Sequence, residues 1–99
     1  MLEAAFIFIA AGADPAVHRG TVETPSVRLT SIGVSSYEQG AAAAKEMAEA
    51  GCGAIELCGG FGARGVAMIE QAVAGAAKIG VVRFDAHPGL DYKSGDDIF

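Results

Sequence analysis

The residues best suited to chemistry in this sequence fall in two short segments, Glu56–Gly62 and Arg83–His87. In Ala54-Ile55-Glu56-Leu57-Cys58, a two-residue period sets Ile55 and Leu57 on one side and Glu56 and Cys58 on the other. The same period aligns Arg83, Asp85 and His87 at the end of Val81-Val82-Arg83-Phe84-Asp85-Ala86-His87. A charge inside a buried strand is costly unless it is paired, so a Glu56–Arg83 pair is expected if these strands are neighbours. Two readings of that pair stand. One is structural, an ion pair under a loop or at a subunit interface. The other is functional, with Glu56 as general acid or base and Arg83 orienting it or holding an anionic substrate.

Asp85 and His87 form an Asp-x-His pair where strand gives way to loop. Asp85 is expected to orient His87, whose imidazole titrates near neutral pH and suits proton transfer. A carboxylate and an imidazole also begin a metal site, with Glu56 or His18 as third ligand, but two clear ligands do not complete one and no metal is assigned. Cys58 is a nucleophile candidate if the following helix N-terminus stabilises its thiolate, and a small hydrophobe otherwise.

Gly60-Phe61-Gly62-Ala63-Arg64-Gly65 is a literal G-x-G-x-x-G that follows a strand and opens a helix, with Asp85 at the end of the next strand. The chain has room for four strands only, and the motif sits on the third rather than the first, so the second half of a dinucleotide fold is missing. A smaller anion, a carboxylate or phosphate, is the expected guest. Gly59, Gly60 and Gly62 would bare backbone N–H groups to it, and Arg64 would add charge. The architectural alternative is a tight turn that glycine permits. His18 joins the site if the first strand runs parallel to the others. No cofactor follows from these residues.

The elements that must position them alternate. Ala5–Ala10 is an apolar strand. Asp14 as N-cap with Pro15 behind it predicts a short helix through Val17, His18 and Arg19 that weakens at Gly20. Val27–Val34 is a second strand, and Ser35 with Glu38 reads as a capping box for an Ala-rich helix ending at Gly51. Ala54–Cys58 is the third strand. A helix with Val66, Ile69 and Val73 on one face follows, and Ile79–Asp85 is the fourth strand. The expected fold class is therefore α/β, a small, mostly parallel four-stranded sheet in β-α-β-α-β-α-β order, as a flavodoxin-like sandwich or a half-barrel. Residues 1–99 form one domain, with 88–99 as a tail whose Ile98 and Phe99 suggest docking.

Bulk properties bound the partners. Seven basic against twelve acidic residues give a net charge of −5, with no basic stripe for nucleic acid. The opening apolar run is far short of the roughly 20 residues of a membrane span. It also lacks the basic flank of a signal peptide, so cytoplasm is the expected compartment. Cys52 and Cys58 form neither a disulfide framework nor a zinc spacing. Apolar residues make up 52% and charged residues 19%, which favours a homo-oligomer that hides apolar surface.

The segments Ala-Ala-Phe-Ile-Phe-Ile-Ala, Ala-Ile-Glu-Leu-Cys-Gly-Gly-Phe-Gly, Gly-Val-Val-Arg-Phe-Asp-Ala-His-Pro-Gly and Lys-Ser-Gly-Asp-Asp-Ile-Phe resemble a domain-of-unknown-function family of short bacterial proteins. The resemblance covers the whole chain. It implies a stand-alone protein of about this length and assigns no activity. The leading expectation is a protein that binds a small anionic metabolite at the strand ends, with acid/base catalysis of isomerase or lyase type by Glu56, Asp85 and His87. A non-catalytic assembly protein and a nucleotide-binding module are the alternatives.

Overall fold

Strand β1 (Leu2–Ile9) is the centre of the sheet, hydrogen-bonded on both sides to parallel neighbours in a computed structural model that describes residues 1–99. The remaining elements are β2 (Arg19–Glu23), β3 (Val27–Val34), α1 (Tyr37–Glu49), β4 (Ala54–Leu57), α2 (Ala63–Val73) and β5 (Lys78–Val81). Two short 3-10 turns, Pro88–Leu90 and Gly95–Asp97, shape the tail. The sheet order is β2-β3-β1-β4-β5, with β2 antiparallel and every other pairing parallel.

The α/β class stands, but the sheet has five strands, not four, β2 makes it mixed, and the β-α-β-α-β-α-β order of a flavodoxin-like sandwich or half-barrel does not hold. The difference lies in residues 11–25. Asp14 and Pro15 do start a turn: the Asp14 carboxylate accepts the Ala16 N–H at 2.9 Å, and the Asp14 carbonyl accepts from Val17 and His18. The expected helix through Val17–Arg19 does not form; the turn passes directly into β2 at Arg19. Arg19–Glu23 contains the β-branched Thr21 and Val22, which favour extended backbone, and β3 lies beside it across a tight connection. There Thr24 Oγ1 accepts the Ser26 and Val27 N–H groups. The result is a hairpin, clasped across the strands by the Thr21 and Thr30 hydroxyls at 3.1 Å.

α1 starts one residue later than the capping box implied. Ser36 is the N-cap and takes the Gln39 N–H at 3.1 Å, while the Gln39 side chain turns back to the Ser35 N–H and hydroxyl. Both helices lie on one face of the sheet. Ala5, Ile7 and Ile9 of β1, Ile32 and Val34 of β3, and Ile55 and Leu57 of β4 are buried there against Ala43, Ala44, Ile69 and Val73. Small residues on α1 allow close approach: a Cβ at Gly40 would sit 3.0 Å from the Phe61 ring. The alternate residues of β1, Phe6 and Phe8, point to the other face, where no helix lies, and remain half-buried.

Candidate functional site

The loops after β4 and β5 meet at the carboxyl end of the parallel strands, where open α/β sheets place their ligand sites. After β4 the chain turns tightly, with the Phe61 N–H donating to the Cys58 carbonyl at 3.1 Å. Cys58 is half-buried, and its Sγ accepts the Ile9 and Gly60 N–H groups, each at 3.3 Å. Phe61 is buried and stacks on Tyr37 at 5.8 Å between ring centres.

Gly62 caps α2 and has no side chain to offer the first-turn N–H groups. A residue far along the chain supplies the missing acceptor. The Asp96 carboxylate takes the Arg64 N–H with both oxygens, at 3.1 and 3.2 Å, and the Tyr37 hydroxyl donates to it at 2.8 Å. The same hydroxyl accepts the buried Gly62 N–H at 3.0 Å. Arg64 folds back over this knot. Its guanidinium donates to the Asp96 carbonyl at 3.1 Å and lies 5.2 Å from the Tyr37 ring centre. The anion seat expected at Gly59–Arg64 therefore carries an anion, the chain's own Asp96.

Charge energetics agree with this geometry. Burial of the Tyr37 ring pushes its hydroxyl up to about 12, and the Gly62 N–H only partly opposes that. Burial works against the Asp96 carboxylate, but the Arg64 N–H, the Tyr37 hydroxyl, the Gly65 N–H and the Arg64 charge outweigh it and hold the group below its usual range. The anionic form is favoured at a helix N-terminus for the same reason.

The arm after β5 is different. β5 ends at Val81, not at Asp85, because β4 is only four residues long and offers no partner beyond a last contact of Val82 N–H with the Leu57 carbonyl at 3.4 Å. Without a ladder the two-residue alternation lapses. Arg83 pairs with Asp85, Nε to Oδ1 at 2.9 Å, with side chains 78% and 79% exposed. The expected Glu56–Arg83 pair does not form. Glu56 is exposed on the helix-free face, its stem passing over Gly80 of β5. Phe84 covers Gly59 and lies 4.7 Å from the His87 ring. His87 Nδ1 accepts the Gly89 N–H at 2.9 Å, which makes the side chain a hook for the turn. His18 performs the same service at the other side of the sheet, accepting the Asp14 N–H on Nδ1 at 2.8 Å.

A groove of about 380 Å³ separates α2 from this arm. Its walls are Phe61, Val66, Val81, Val82 and Phe84; Gly62, Arg83, Asp85, Ser94 and Asp96 supply the polar rim. Of the sequence candidates, Gly62, Arg83 and Asp85 meet here. Glu56, Cys58, His87 and His18 do not line the groove, and Gly59, Gly60 and Arg64 serve the turn and the knot behind it. No three His, Cys, Asp or Glu side chains gather where a metal ion would sit.

A family of unknown function, DUF6506, matches residues 2–97. The chain belongs to this family. No curated protein and no solved structure matches it. No helix is long and apolar enough to cross a membrane.

The tail returns to the body through Phe99, 6.1 Å from the Tyr37 ring, while Ile98 is half exposed. Neither Tyr37 nor Asp96 was among the residues that the sequence singled out. The one available signal was a tyrosine directly after a helix cap, in a sequence with few other aromatic residues whose polar tip needs a partner when buried.

Proposed function

We propose that this member of the family is a small-ligand-binding protein that takes a compact molecule with an apolar body and one carboxylate or phosphate in the groove between α2 and the arm after β5. The observation that supports this reading is the composition of the groove. Its walls are apolar, and Arg83 is the cation on its rim whose only partner is the exposed Asp85. Arg64, by contrast, is committed to Asp96 and the Tyr37 ring. An exposed ion pair is weakly held, so the Arg83 guanidinium is available to a better anion. An acid/base step in the groove would draw on Asp85, with His87 behind Phe84; Glu56 belongs to the other face.

Heteronuclear NMR with a panel of short-chain carboxylates, phosphate monoesters, NAD and FAD tests the reading. Shifts confined to Phe61–Val66 and Val81–Asp85 are expected for a carboxylate or phosphate ester, and Arg83→Ala should weaken binding about tenfold or more, as loss of a charge-assisted hydrogen bond does. The reading fails if nothing in the panel binds, or if Arg83→Ala binds as tightly as the unmodified chain.

A further inference from the structure

One face of the sheet is bare. Both helices cover the side carrying Ile7, Ile32 and Ile55, whereas register puts Phe6, Phe8, Leu29 and Val22 on the other. Phe6, Phe8 and Leu29 are only half-buried there, and Val22 is 66% exposed. Parallel sheets occur almost only with both faces covered, and three of the four pairings here are parallel. β1 itself reads Ala-Ala-Phe-Ile-Phe-Ile, the unbroken apolar run of a strand covered on two sides.

We propose that a second copy of this chain covers this face, the two sheets packing face to face about a two-fold axis. The charges on the face favour a self-complementary partner. By register only Glu56 and Lys78 among charged residues stand on the bare side, on adjoining strands, and neither has an ion-pair partner within the chain. The charges of β1, β2 and β3 (Glu3, Arg19, Glu23, Arg28) alternate onto the opposite side. A two-fold axis presents a patch to itself, so one acid and one base on the patch bring Glu56 of each copy to Lys78 of the other. An unrelated partner would need its own matching pair.

Size is adequate. At about 3.3 Å per residue and about 4.8 Å between strands, the five strands project to roughly 450–500 Å² per copy before side-chain relief. Two such faces approach the ~1,200 Å² at which specific, stable interfaces begin. The groove meets this face only at Val81 and Val82, and neither Arg83 nor Asp85 lies on the face, so the inference does not rest on what the groove binds.

Light scattering on the size-fractionated full chain gives the test. The mass should be twice the 10.0 kDa of one chain. Glu56→Lys, at an exposed position and with an unchanged circular dichroism spectrum as the control for folding, sets like charges against each other and should raise the dimer Kd about tenfold or more. The double exchange Glu56→Lys with Lys78→Glu should restore it, and Leu29→Arg should give monomer. A monomeric unmodified chain overturns the proposal. So does a dimer that all three variants leave unchanged, which would place the contact elsewhere, as at the open β5 edge. Loss in Glu56→Lys without rescue by the double exchange overturns the two-fold arrangement.

Discussion

The ends of β4 and β5 are neighbours in the same parallel sheet, and both lead into polar loops, yet they are built on opposite terms. The loop after β4 is sealed: Gly59, Gly60, Phe61 and Gly62 are buried, and the Gly60, Phe61 and Gly62 N–H groups all donate to acceptors within the chain. The arm after β5 is open, with Arg83 and Asp85 nearly free in solvent. The comparison teaches that polar residues at a strand end are not one class. In the first loop they join distant parts of the chain, because Asp96 lies 32 residues from Arg64 and 59 from Tyr37. In the second they bond only to near neighbours and leave surface for a ligand.

The sharpest way to break the comparison is to pry the tail off the sealed loop. Gly95 is buried against the Gly60 carbonyl, and a Cβ there would run into that carbonyl and crowd the Tyr37 hydroxyl at 2.9 Å. A backbone carbonyl in a tight turn has no rotamer to yield. Gly95→Ala should therefore cost about 3 kcal/mol or more in urea unfolding, or release the tail to proteolysis, the upper range of overpacking effects. Unchanged stability and an intact tail would mean that the seal is looser than its contacts imply.

Tyr37→Phe removes one oxygen and keeps the ring. It leaves the Gly62 N–H buried without an acceptor, at a cost of about 2 kcal/mol. It should also flatten the alkaline limb of the stability profile. The Tyr37 hydroxyl is raised from 10.0 to about 12 by burial, so the folded state holds its proton longer than the unfolded chain. Stability from this group is complete below the unfolded value and is lost as pH climbs through the folded one, up to about 3 kcal/mol. Denaturant titrations across that window should fall for the unmodified chain and stay level for Tyr37→Phe.

Much of the framework was legible because it is local. Val27–Val34 is a β-branched run bounded by turn residues, and α2 follows a glycine turn with apolar residues at helical spacing. The misreadings share a cause. Arg19–Glu23 has a helix-start signal upstream, and only its pairing with β3 makes it a strand. Arg83 was placed on a strand that stops at Val81 because β4, a different segment, is short. Asp96 gained its role from partners that no local pattern announces. In each case a non-local contact overrode the nearby signal, as tertiary context routinely does.

Asp96 also supplies a smaller acid-side effect. Burial raises its ionisation, but the Arg64 N–H, the Tyr37 hydroxyl, the Gly65 N–H and the Arg64 charge together outweigh burial and hold it low. A depressed carboxyl contributes stability above its unfolded value and loses it as pH falls through the folded one. Asp96→Asn should cost about 1 kcal/mol at neutral pH, as loss of a capping carboxylate does, and should make unfolding less sensitive to acid below about pH 4. An acid limb that persists unchanged in Asp96→Asn would assign it to other carboxylates.

The smallest effect is expected in the open arm, and its smallness carries the argument. Arg83 touches Asp85 and solvent, and the pair spans a single intervening residue, so it closes no long loop. Pairs this exposed recover in water nearly all that they lose when broken. Arg83→Ala should leave the urea midpoint and the pH profile where they are, in contrast to the losses expected of Tyr37→Phe and Asp96→Asn in the sealed loop. That silence separates a residue kept for the fold from one free to meet a ligand. If Arg83→Ala did lower the midpoint as Asp96→Asn does, the arm would be a second structural knot, and the two strand ends would differ in exposure alone.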